Sequence, residues 1–223
     1  KPFTDHHPKA LAVVNNVPLL ERNIKYLQSF GVTEFVINVH HFGEQIVEFL
    51  EKNNHFGAKI DISDEKDELL ETGGGLLFAQ KYLENEENFL IMNADILTDL
   101  NIHELVKFHE THLPLATLAV SDRNSSRKLF FNSEMVLKGW MNKNSGETKM
   151  AEFNNNFKEL AFSGIHCINS SIFDKIKRRG KFSIMEEYLD LMFENNILGF
   201  QHEARLIDVG RPESVIEAEK YFK

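Results

Sequence analysis

Apolar positions along the chain alternate between a helical rhythm and a strand rhythm. Between Pro18 and Phe30, Leu19, Leu20, Ile24, Leu27 and Phe30 fall at helical spacing. Proline near the start and Gly31 just past the end predict a helix there. Glu34 to Val39 is a short run rich in β-branched residues and predicts a buried strand. Gly43 to Lys52 returns to helical spacing through Ile46, Val47, Phe49 and Leu50, and Ala58 to Ile62 alternates as a strand does. A helix opening near Gly75 follows, then the apolar run Phe89 to Met92, a helix over Asn101 to His112 and a strand over Leu115 to Val120. Strands separated by helices of this length imply βαβ units, right-handed crossovers and a mainly parallel sheet.

Beyond Ser121 the texture changes. Arg127 to Phe131, Met135 to Trp140 and Gly146 to Met150 are short apolar stretches joined by Asn, Ser and Gly, which predicts antiparallel hairpins. Phe157 to Asn169 is a longer strand broken by the small-residue step Phe162-Ser163-Gly164. Helices over Ser170 to Arg178 and Ser183 to Asn196, strands over Leu198 to Glu203 and Ala204 to Val209, and a helix from Pro212 complete the pattern. The expectation is an α/β, Rossmann-like fold with helices flanking the sheet and a small hairpin region. One domain spanning residues 1–223 is expected, in two parts of different texture, 1–120 and 121–223.

Composition narrows the function. At 223 residues with 42% hydrophobic content and nineteen Phe, the chain has ample core for a globular domain. A net charge of -9 argues against a nucleic-acid or membrane-surface partner. The lone Cys167 rules out an internal disulfide and fits a reduced, cytoplasmic setting, and its apolar neighbours read as a buried structural thiol. No apolar run approaches the ~20 residues of a membrane span.

Chemistry concentrates in a few stretches. Glu71-Thr72-Gly73-Gly74-Gly75 stands immediately before an apolar helical run. Glycines opening a helix let a ligand approach bare backbone where unpaired N–H groups point outward, although from the glycines alone a flexible turn is the commoner reading. Asp95 closes the apolar run in Asn93-Ala94-Asp95, and Asp208 closes another in Leu206-Ile207-Asp208-Val209-Gly210. In open α/β sheets ligands bind beyond the carboxyl ends of strands, and carboxylates there suit Mg²⁺, while a turn or N-cap role would use the same residues. Lys9, stiffened by Pro8, is a candidate phosphate-facing cation, or a solvated surface lysine. His6-His7 and His40-His41 raise a rival transition-metal site, but neighbouring histidines on a strand point to opposite faces.

These pieces, in this order, resemble the sugar-1-phosphate nucleotidyltransferases. Lys1 to Leu11 followed by Pro18-Leu19-Leu20-Glu21 looks like the family's opening loop, phosphate-binding lysine and first helix. Glu71 to Gly75 is similar to the nucleotide-base loop of the branch holding N-acetylmuramate-1-phosphate uridylyltransferases and mannose-1-phosphate guanylyltransferases. Asn93-Ala94-Asp95 matches the metal-aspartate motif, with Ala94 where that branch usually has Gly. Phe162-Ser163-Gly164-Ile165 matches the sugar-binding strand, and Asp208 to Glu213 the second metal aspartate, with Arg211 where a small hydroxyl residue is common.

The resemblance implies an enzyme that joins a nucleoside triphosphate, UTP or GTP, to a sugar 1-phosphate and releases pyrophosphate. By position it assigns Lys9 and Asp95 to catalysis, and Lys9, Glu71, Thr72, Gly73, Gly74 and Gly75 to the nucleotide. It assigns Asn93, Ser163 and Gly164 to the sugar phosphate, and Asp95 and Asp208 to Mg²⁺. The family opens with a core strand and a glycine-rich loop around the triphosphate, and their counterparts would precede Lys1. Two alternatives stand beside this reading: a non-catalytic nucleotide-sugar sensor or regulatory subunit that lacks the triphosphate loop, and a cytidylyltransferase for a non-sugar phosphate. The acidic sugar contact stays unassigned, Glu152 being the nearest acid and Asn154-Asn155-Asn156 a poor match.

Overall fold

A computed structural model describes residues 7–66, 68–152 and 156–223, and the chain forms two compact units. The chain starts in the first unit with a 3₁₀ turn at Lys9–Leu11, then β1 (Val13–Val14), β2 (Val17–Pro18), α1 (Leu19–Gln28), β3 (Glu34–Val39), α2 (Gly43–Lys52) and β4 (Lys59–Asp64). It enters the second unit at Glu71 for α3 (Glu71–Phe78), α4 (Gln80–Leu83) and β5 (Asn88–Met92). A brief return to the first unit supplies β6 (Ile96–Thr98).

The second unit then takes α5 (Ile102–His112), β7 (Ala116–Ser121), β8 (Arg127–Phe131), β9 (Leu137–Asn142), β10 (Thr148–Met150) and β11 (Lys158–Asn169). It closes with α6 (Ile172–Lys175), α7 (Ile184–Leu191) and β12 (Ile197–Gln201). Last, β13 (Leu206–Asp208) and α8 (Pro212–Tyr221) rejoin the first unit.

In the first unit β3 and β4 pair in parallel, as a βαβ crossover through α2 requires. The apolar faces of the two helices drive it: Leu20 and Ile24 of α1, Ile46 and Leu50 of α2 and Val39 form one buried cluster, with Phe35, Ile37, Ile60 and Ile62 packed against it. A second cluster joins Val14, Leu19, Leu97, Ile207, Val209 and Ala218, so β6, β13 and α8 share an interior. Antiparallel pairing of β6 with β13 sets Asp208 opposite Ile96.

The second unit is built on a seven-stranded sheet ordered β10-β9-β8-β11-β7-β12, with β5 also on β11. The α/β class and flanking helices are as expected, but strand directions are mixed rather than mainly parallel. Only β12 runs parallel to its neighbour β7, while β11 is antiparallel to β5, β7 and β8. The reason lies in the connections: β11 is reached through the β8-β9-β10 hairpins, without a helical crossover, and antiparallel strands need none. On one side β11 pairs first with β8, over residues 158–160, and then with β5, over residues 165–169. Between those ladders its register shifts against β7, and Gly164 adopts φ +73°, which glycine tolerates at low cost.

The sheet's core holds one ionisable group with a large consequence. His166 of β11 is 2% exposed, and its Nδ1 is hydrogen-bonded to the Tyr188 hydroxyl at 2.7 Å. Burial pushes the imidazole down to about 3, so it is neutral when folded, while the unfolded chain protonates near 6.5. Because the folded value is depressed, stability is present above pH 6.5 and lost as pH falls toward the folded value. The native protein should therefore lose about 1.4 kcal/mol per pH unit from this group between pH 6.5 and 5. Urea unfolding at a series of pH values should show His166→Gln losing correspondingly less, and an unchanged slope in the variant would contradict this assignment.

Candidate active site

The expected site residues fall into two groups, one in each unit. In the first unit the decisive geometry is where β6 begins and β13 ends. Their ladder continues one step beyond the strands, with the Val209 N–H donating to the Asp95 carbonyl at 2.8 Å. The two acids sequence reasoning singled out, more than a hundred residues apart, thus occupy adjacent strand ends. Lys9, from the 3₁₀ turn after Pro8, places its ammonium 3.7 Å from Asp95 Oδ2. A methyl at Gly210 would fall 2.9 Å from Asp208 Oδ1 and 3.8 Å from Lys9 Nζ, so carboxylate and ammonium face the same spot. Glycine at 210 leaves that space to the functional groups.

Electrostatics agree with this geometry. Burial, then the neighbouring Asp208 charge, raise the Asp95 carboxyl above its usual range, and Lys9 pulls only partly the other way. Two like-charged carboxylates held together, one of them largely desolvated, are a arrangement that folding disfavours and a cation relieves. Two carboxylates with open coordination positions suit a hard divalent cation that completes its shell with phosphate oxygens and water. Asn93, expected at the sugar, lies in the turn before Asp95, where its carbonyl accepts the Ile96 N–H at 3.3 Å.

The rival histidine site does not form among the described residues. His40 Nδ1 is 2.5 Å from the Glu65 carbonyl, the His41 ring lies tilted against Phe42, and His7 reaches Gln45. His6 lies outside the described residues. No group of three or more His, Cys, Asp or Glu side chains is placed to hold a metal among those described. Cys167 is buried, and burial pushes its thiol up to about 12, in keeping with a structural role.

In the second unit the glycine run does something other than expected. Gly73, Gly74 and Gly75 are buried within α3. The N–H groups of Gly73 and Gly74 donate to the Phe182 carbonyl at 2.9 and 3.3 Å, so these amides are not bare. A Cβ on Gly73 would fall 2.3 Å from the Phe182 ring, which explains at least that glycine by close packing. Thr72 Oγ1 accepts the Ile184 N–H at 3.0 Å, and Glu71, at φ +60°, pairs with Lys181 at 3.8 Å. Residues 71–74 are therefore stapled to residues 181–184, a partner that no short motif announced.

Ser163 and Gly164 sit at the irregularity of β11, where His202 Nε2 meets Ser163 Oγ at 2.9 Å and Arg123 donates to the Phe162 carbonyl at 2.8 Å. Sequence reasoning also missed Glu65, a buried carboxylate that accepts from Asn38 Nδ2 at 2.6 Å and from the Leu70 N–H at 2.8 Å. One acid among several in a polar stretch gives no signal of that kind.

The description "Nucleotidyl transferase" belongs to the family model that matches residues 1–223. The chain belongs to this family. Its similar relatives include a mannose-1-phosphate guanyltransferase of Gibberella zeae, 28% identical over 97% of this chain and 58% of the relative. Another, of the same description, comes from Schizosaccharomyces pombe and is 26% identical over 97% of this chain and 59% of its own length. The chain thus spans less than two thirds of those relatives. In fold it is similar to HddC from Yersinia pseudotuberculosis complexed with GMP-PN, with TM-score 0.79 and 22% identity, covering 97% of this chain and 91% of that one. It is also similar to a UDP-glucose pyrophosphorylase complexed with UDP-glucose, with TM-score 0.77 and 16% identity, covering 98% and 91%. No described helix is long and apolar enough to cross a membrane.

The strain at the paired acids has a thermal signature in this nucleotidyl transferase chain. Asp95 carries a raised carboxyl, so its ionised form costs stability at neutral pH, and the half-exposed Lys9 pair offsets little of it. Asp95→Asn should melt at a higher temperature than the native protein in metal-free buffer, and added Mg²⁺ should raise the native melting point while leaving the variant's unchanged. Scanning calorimetry reads both, and a lower-melting variant that still responds to Mg²⁺ would contradict the assignment.

Proposed function

We propose that this protein transfers a nucleotidyl group from a nucleoside triphosphate to a sugar 1-phosphate, forming an NDP-sugar and pyrophosphate. The observation that carries this reading is the convergence of Asp95, Asp208 and Lys9 at adjoining strand ends. Three charged groups focused on one spot suit chemistry that gathers phosphate charge.

The reaction needs little covalent help from the protein. A phosphate oxygen of the sugar 1-phosphate, already an anion, attacks the α-phosphorus in line; the bond from that phosphorus to the bridging oxygen breaks, and pyrophosphate leaves with the electron pair. No general base is required, so catalysis reduces to positioning and charge neutralisation. Lys9 offers its ammonium to the phosphate oxygens as charge builds on them. Asp95 and Asp208 would hold Mg²⁺, which when bound supplies Lewis acidity and a template for both phosphates. Asn93, in the turn before Asp95, is assigned to the sugar hydroxyls.

In the second unit, Glu71 to Gly75 are assigned to the base. With two of the glycine amides engaged by Phe182, base contact falls to the remaining groups of that segment. Ser163 and Gly164 are assigned to the sugar, where the irregular β11 backbone leaves peptide groups outside the regular ladder. GTP is favoured over UTP, with mannose 1-phosphate as the first acceptor to try. Support comes from the relatives named as mannose-1-phosphate guanyltransferases and from the likeness to a protein complexed with GMP-PN.

The test is pyrophosphate release by the full-length protein across a grid of triphosphates and sugar 1-phosphates, with and without Mg²⁺. Turnover should require the cation and both substrates, and Asp208→Asn should reduce kcat by about a hundredfold or more. Equal turnover by that variant, or binding of nucleotide-sugar with no pyrophosphate formed from any pair, would overturn the reading, the second result favouring a sensor.

A further inference from the structure

Helix α1 carries a polar side chain where its apolar face is buried. Leu19, Leu20 and Ile24 line that face, and Asn23, at the same helical phase, is only 7% exposed. A buried amide costs stability unless its hydrogen bonds are met. Asn23 Nδ2 donates to the Ala94 carbonyl at 3.0 Å. That carbonyl belongs to the peptide that leads directly into Asp95.

The peptide groups around Asp95 are therefore held from both sides. Asn23 takes the carbonyl before it, and the Val209 N–H takes the carbonyl of Asp95 itself at 2.8 Å. A third bond, from the Ile96 N–H to the Asn93 carbonyl at 3.3 Å, closes the turn. Val209 follows Asp208, so one clamp ties the two acids to each other, and the other ties their turn to the helix. Without the Asn23 bond, the turn would be free to rotate the Asp95 side chain away from a neighbour of like charge.

We propose that Asn23 is a positioning residue for Asp95: its side-chain amide fixes the Ala94 carbonyl and so keeps the Asp95 carboxylate turned toward Asp208 before a cation arrives. The inference rests on the two-carboxylate reading of the site. Groups that orient a metal ligand typically change affinity about tenfold or more when removed. Asn23 does not touch the reacting atoms, so its loss acts on cation affinity ahead of any other property.

The experiment is direct Mn²⁺ binding to the full chain without substrates, followed by the electron paramagnetic resonance of free Mn²⁺, alongside melting in metal-free buffer. Asn23→Leu, which keeps the branched heavy-atom shape and loses the donor, should weaken Mn²⁺ binding about tenfold. Asn23→Ala serves if the leucine variant does not fold. Asn23→Gln, which keeps a donor, should recover most of the affinity. A simple packing role would lower the melting temperature of the leucine and alanine variants with Mn²⁺ affinity unchanged, and that result overturns the proposal alone. Mn²⁺ binding by native protein that Asp95→Asn leaves untouched, or no binding by native protein at all, overturns the two-carboxylate reading and this inference with it.

Discussion

A single backbone hydrogen bond, from the Val209 N–H to the Asp95 carbonyl, extends the β6–β13 ladder one step beyond its strands. That extension brings two acids distant in sequence to one place. Carboxylates do not gather unaided: burial and mutual repulsion both oppose ionisation of Asp95. The ladder, the buried face shared by Leu97, Ile207 and Val209, and the grip of Asn23 on the Ala94 carbonyl supply the opposing constraint. Folding free energy from ordinary apolar packing is thus converted into a concentrated charge that a cation and phosphate groups can relieve. Much of the proposed chemistry depends on this conversion.

The second unit answers a different demand. Its long strand β11 serves β8 with one half and β5 with the other, and the change of partner forces an irregular stretch that Gly164 accommodates. Gly73 of α3 lets the Phe182 ring lie against the helix, and the Phe182 carbonyl accepts from the Gly73 and Gly74 N–H groups. Both features use the absence of a side chain, one for backbone conformation and one for contact. Neither is a flexible loop.

Most elements were legible because periodicity reports burial: α2 over Gly43–Lys52 and β3 over Glu34–Val39 follow directly from their apolar spacing. Strand direction was less legible. The rule that helices join parallel strands works for β3 and β4 but fails for β11, which is reached through the two hairpins of β8, β9 and β10. Asp95 and Asp208 could be nominated as strand-end acids, yet their meeting depends on pairing between segments far apart, which no local pattern encodes. Asn23, Glu65 and Phe182 were missed for a related reason. Each acts through a backbone group elsewhere in its unit, and an amide or a phenyl ring carries no mark of what it will touch. The glycine run was read as a place for a ligand to approach bare backbone, whereas the group packed against Gly73 is the chain's own Phe182 ring.

The most direct measurement is an anomalous difference map from crystals of the protein grown with Mn²⁺ and nucleotide. The account predicts a single strong peak bridging the carboxylates of Asp95 and Asp208, with the Lys9 ammonium close by on the phosphate side. A peak coordinated by other residues, with both carboxylates left unligated, would contradict it.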